Sequence, residues 1–135
     1  MSDADQRDRG GVEAFFVAYA AALAEGDLDA IGGCYGYPSQ VVSDDTSIAI
    51  DEPAAVKAAF SGAAGQYRTR GLVEVVPGIG AIEPIGRALA LVDVRWSYRD
   101  TTGTERQSGS YRYLLRSRDG QHTITTVISL PPDAE

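Results

Sequence analysis

The chain has 135 residues, enough for about one domain, and its 44% hydrophobic and 23% charged content is that of a folded globular protein rather than a disordered one. Twelve basic residues against nineteen acidic ones give a net charge of -7, which opposes attraction to phosphate backbones and anionic lipid and excludes nucleic acid and membrane as expected partners. One cysteine, Cys34, and one histidine, His122, supply neither an intramolecular disulfide nor a metal cage. With no apolar run near the about 20 residues of a membrane span and no apolar signal core at the start, a cytoplasmic protein without metal or bound cofactor is expected.

Residues 1–10 are polar and without apolar periodicity, so they are expected to form a flexible N-terminus ahead of a single domain over 11–132. From Val12, apolar residues recur at Phe15, Phe16, Tyr19, Ala20 and Leu23, one stripe of a helix closed by Gly26. Asp27 then suits the N-cap of a second helix from Leu28 to about Tyr35, with Leu28, Ile31 and Cys34 inward. Tyr37-Pro38 ends helical geometry. A short hairpin follows, Gln40 to Ser43 and Thr46 to Ile50, around a turn whose Asp44 and Asp45 can bond their own backbone. Asp51-Glu52-Pro53 opens a third helix running to about Arg70, with Val56, Phe60, Ala63 and Tyr67 as its stripe and Gly71 as its stop.

Beyond Leu72 the period becomes two, and four antiparallel strands are expected at about 72–83, 88–99, 104–116 and 122–130. Pro77, Gly78 and Gly80 mark a bulge or bend in the first of these. Gly78 and Gly80 also mimic the start of a dinucleotide fingerprint, but no helix follows and the third glycine is missing. Alternation puts Val92, Val94, Trp96 and Tyr98 with Tyr111, Tyr113 and Leu115 on one face, and Asp93, Arg95, Arg112 and Arg116 on the other. The predicted class is α+β: three helices on a curved, mainly antiparallel sheet, forming a cone with a cavity at its mouth.

The stretch Ala18-Tyr19 through Gly26-Asp27-Leu28-Asp29-Ala30-Ile31 resembles the first helix and turn of nuclear transport factor 2-like domains, and within them the ketosteroid isomerase and polyketide-cyclase-like branch. The resemblance implies the cystatin-like cone and a homodimer; the cross-strand charges Asp93, Arg95, Arg112 and Arg116 suit a self-complementary interface. In ketosteroid isomerases an Asp moves the proton while a Tyr and a protonated Asp stabilise the oxyanion. Tyr19 matches the tyrosine, the base position falls on Ser43 beside Asp44 and Asp45, and the second oxyanion donor falls on Tyr111 or Tyr113. Two chemistries follow. A small apolar or aromatic ligand would meet Phe15, Tyr19, Ser43, Val94, Trp96, Tyr111 and Tyr113, whereas a metal-independent acid-base enzyme would use Tyr19 as donor and Asp44 or Asp45 as base. A dimerisation module with a filled cavity is the third reading. His122 beside the Asp-Gly turn reads as an exposed imidazole, and Cys34 as a small buried hydrophobe.

Overall fold

Helix α1 spans Ser2–Glu25 in the computed structural model, which describes residues 2–131 and, for residues 2–8, the backbone alone. It begins well before the apolar stripe and runs unbroken through Gly10 and Gly11; the expected domain end at Pro132 lies outside the described residues. Val12, Phe16, Tyr19, Ala20 and Leu23 are buried along one face, as three-four spacing requires. The end is a Schellman turn: Gly26, at φ 72, donates its N–H to the Leu23 carbonyl and Asp27 donates to Ala22. The Asp27 carboxylate then caps α2 (Leu28–Gly33), accepting from the Ala30 N–H at 3.1 Å. Helix α2 stops before Tyr35 because that residue already belongs to a strand.

Strand β1 (Tyr35–Val42) carries a cis Tyr37-Pro38 bond and pairs parallel with the last strand, with a register shift between Tyr35 and Gln40. It turns into β2 (Ser47–Ile50) as the expected hairpin. The turn is held differently from expectation. Ser43, not an aspartate, makes the bonds: its hydroxyl meets the Thr46 hydroxyl at 2.9 Å and accepts the Thr46 N–H at 3.2 Å.

The third predicted helix is two. Pro53 opens α3 (Pro53–Phe60), Gly62 at φ 85 breaks the chain direction, and α4 (Ala63–Thr69) follows. The stripe Val56, Phe60, Ala63, Tyr67 is continuous in sequence, but a left-handed residue cannot sit inside an α-helix.

Strands β3 (Glu74–Ile85), β4 (Leu89–Arg99), β5 (Glu105–Arg118) and β6 (Gln121–Ser129) form the antiparallel meander. All six strands join one open sheet in the order β2-β1-β6-β5-β4-β3, antiparallel except for β1 beside β6. The expected bulge lies between Ile79 and Ile82, where Gly80 lets the strands approach. The Arg9 guanidinium reaches the bulge from α1, donating to the Ile79 and Gly80 carbonyls at 3.2 Å each. The curved sheet presents Val92, Val94, Trp96, Tyr113, Leu115 and Ile124 inward against Phe16, Tyr19 and Ile31, and there the core sits.

Candidate functional site

Trp96 and Tyr113 face inward because their neighbours in β4 and β5 alternate with charged residues that hold the outer face. Tyr19 comes down on them from α1, its ring centroid 5.9 Å from Trp96 and 6.5 Å from Tyr113. Tyr35, at the start of β1, closes the group 6.1 Å from Tyr19. Above these rings opens a cavity of about 270 Å³. Val41, Ile50 and Val127 line its sheet side, Leu23 its α1 side, and Val56, Ala59, Phe60 and Tyr67 its α3–α4 side, with Tyr98 and Tyr111 completing it. Among the described residues no charged side chain lines it.

The polar atoms at the floor pair with one another. Trp96 Nε1–H donates to the Tyr113 hydroxyl at 2.9 Å, and the Tyr19 and Tyr35 hydroxyls share one hydrogen bond at 2.7 Å. These four groups carry four protons and use two of them. Among the described residues nothing accepts the Tyr113 proton or the second proton of the Tyr19–Tyr35 pair. Burial lifts the Tyr19 and Tyr113 phenols well above their ordinary range and Tyr35 to about 12, so all three keep their protons at neutral pH. The floor therefore donates hydrogen bonds and has no base.

Of the residues expected to meet a ligand, Tyr19, Trp96, Tyr111 and Tyr113 line this cavity together. The others lie elsewhere. Phe15 stacks beside Tyr19 at 6.4 Å but lines a separate, open groove with Cys34 and His122. Val94 is core, 2% exposed. Ser43 spends its hydroxyl on Thr46, and Asp44 and Asp45 point from the tip of the β1–β2 turn into solvent. In the groove, His122 Nδ1 pairs with Ser117 Oγ at 2.7 Å, and burial pushes the Cys34 thiol up to about 11, out of the reactive range. Among the described residues no three His, Cys, Asp or Glu side chains converge as a metal would need. Among the rings of the cavity, sequence reasoning missed Tyr35, Phe60, Tyr67 and Tyr98; the last three stood on recognised stripes, whereas Tyr35 was hidden by assignment to the end of α2.

Helices laid on an open, curved sheet around an apolar cavity define the NTF2-like class with its cystatin-like fold. The chain belongs to that class through one family: the model described as NTF2-like protein (DUF6841) matches residues 6–132. Solved structures agree. An NTF2-like protein of unknown function from Shewanella oneidensis is 19% identical over 92% of this chain and 99% of its own, at a TM-score of 0.70. An NTF2-like protein with a cystatin-like fold from Novosphingobium aromaticivorans is 13% identical over 96% and 85%, TM-score 0.69. A candidate scytalone dehydratase from the same species is 16% identical over 95% and 86%, TM-score 0.67. At these identities the likeness shows the fold alone. No curated protein matches the sequence significantly.

Proposed function

We propose that the domain binds a small, flat, uncharged molecule in the tyrosine cavity and holds it by an acceptor oxygen, without itself moving a proton. The observation that carries this is the donor surplus: two buried hydroxyl protons without an acceptor, on phenols that line an apolar space which no charged side chain among the described residues enters. A buried donor left unpaired costs about 1–3 kcal/mol, so a ligand oxygen accepting both recovers what the floor lacks. A carboxylate would meet no cation there and carry its desolvation uncompensated, whereas a carbonyl loses little. The space exceeds the about 150 Å³ that admits benzene and suits a bicyclic aromatic ketone. The acid-base alternative finds no support at the cavity floor, where burial raises the pKa values of the Tyr19, Tyr35 and Tyr113 phenols.

The test is calorimetric titration with 2-acetylnaphthalene and with 2-ethylnaphthalene, which has the same shape and no oxygen. The ketone is expected to bind about tenfold or more tightly, as one to two net hydrogen bonds require. Equal affinities would remove the proposed role of the phenols. The reading includes a homodimer formed through the outer face of β4–β6. There Leu91, Leu114 and Ile128 are half-buried beside an Arg112–Asp93 pair at 2.7 Å, a patch able to meet its own copy.

A further inference from the structure

One wall of the cavity is unlike the rest. Helix α1 and the sheet contribute rings fixed by the core, but α3 and α4 contribute Val56, Ala59, Phe60 and Tyr67 from a segment that buries little of itself. Between Asp51 and Gly71 the buried residues are Val56 and Ala64, and the large rings Phe60 and Tyr67 are only half-buried. Every backbone hydrogen bond of residues 53–71, among the described residues, stays within 52–72, so no main-chain bond ties this wall to the sheet. What holds it, besides the edges of the Phe60 and Tyr67 rings on the core, is an exposed Lys57–Asp29 ion pair at 2.6 Å, an Arg70 to Gln107 hydrogen bond at 3.1 Å, and Tyr67 against Tyr98, hydroxyl to hydroxyl and with ring centroids 5.3 Å apart. The two exposed ties, Lys57–Asp29 and Arg70–Gln107, contribute little. The segment has firm ends in Val56 and Leu72, 0% and 4% exposed, and left-handed glycines at Gly62 and Gly71, φ 85 and 77. Between those ends the buried contact is a methyl, Ala64, seated where Gly26 has no Cβ.

We infer that the stretch beyond Val56, the end of α3 and all of α4, is the gate of the tyrosine cavity, pivoting past Val56 and at Gly71 with Gly62 as the joint between its two parts, so that Phe60 and Tyr67 move outward to admit a ligand and close over it. Local opening draws on the parts of a fold with fewest buried contacts, and here those parts form the wall between ligand and solvent. The inference rests on the cavity being a ligand site.

Two measurements test it. Hydrogen exchange on the free protein is expected to show the amides of α3 and α4 exchanging at least about tenfold faster than those of β4 and β5. Protection equal to that of the sheet would overturn the gate whether or not any ligand binds. Stopped-flow mixing with 2-acetylnaphthalene, read through Trp96 emission, then compares the native chain with a Lys57→Met, Arg70→Met variant. Loosening the two ties is expected to raise association and dissociation rates together by about two- to tenfold, leaving the dissociation constant within about twofold. Quenching with unchanged rates would sink the gate alone. Absence of quenching in both proteins would sink the ligand site, and the gate with it.

Discussion

Two hydroxyls that share one hydrogen bond hold two protons between them, and this governs how the floor responds to mutation. Tyr19→Phe leaves Tyr35 its own proton, and Tyr35→Phe leaves Tyr19 its own, so each single change keeps one donor at that place. Each is expected to leave ketone binding within about 1.5-fold, while the double change weakens it about tenfold, well beyond the product of the two; a double effect equal to that product would contradict the shared proton. Tyr113→Phe is harsher. It removes a donor from the floor and strands the buried Trp96 N–H, so about 1–3 kcal/mol of stability is expected to disappear in chemical denaturation. Alkaline pH gives an independent check. Unfolded phenols ionise near 10, whereas the buried ones stay protonated, Tyr35 to about 12, so the native state holds more protons and stability falls as pH rises from about 10 to 12. Below 10 these groups give no slope, and ketone affinity should be flat from pH 6 to 9; a bell-shaped profile would reveal a base that the cavity wall does not contain. At this scale Tyr19, Trp96, Tyr111 and Tyr113 were legible because alternation and helical spacing assign a face to each. Asp44 and Asp45 were not, because a turn residue has no periodicity to say which way it points.

Helix α1 contains a glycine where helix propensity asks for alanine, and the reason is His122. A Cβ on Gly11 would lie 3.1 Å from His122 Nε2, and the ring cannot easily yield, being bonded to Ser117 and set edge-on to Phe15 at 6.0 Å. Gly11→Ala should therefore fail to stabilise the native protein, yet stabilise a His122→Ala background by about 0.5–1 kcal/mol. A gain of that size in both backgrounds, by thermal or urea unfolding, would show that the contact is slack. Element existence was legible wherever apolar period and turn chemistry agreed, as in the Gly26-Asp27 join and the four long strands. It failed at residues 61–62, where an unbroken apolar stripe concealed a left-handed glycine, and at Tyr35, where the parallel pairing of β1 with β6 outweighed local helical pattern. A parallel partner about ninety residues distant leaves no short-range trace.

At the scale of the whole molecule, the order helices, hairpin, helices, long strands, together with the bulge at Gly80, was enough to reach an α+β cone, since a bent sheet can cover its apolar face only by wrapping around α1. Whether the cone was filled or open was not legible, because that depends on how far α3 and α4 stand from the sheet, a distance composition does not encode. The dimer belongs to this scale too. Sedimentation is expected to give twice the chain mass for the native protein and the monomer mass for Ile128→Glu, which puts a charge into the half-buried outer patch; a native monomer would remove the proposed interface. Occupancy of the tyrosine cavity can be read by titrating 2-acetylnaphthalene while following Trp96, the chain's one tryptophan and part of the cavity wall. Saturable one-to-one quenching is expected, weakening about tenfold or more when Ala59→Phe fills the space beside α3. Emission indifferent to the ketone up to its solubility limit, or quenching that Ala59→Phe leaves untouched, would contradict it.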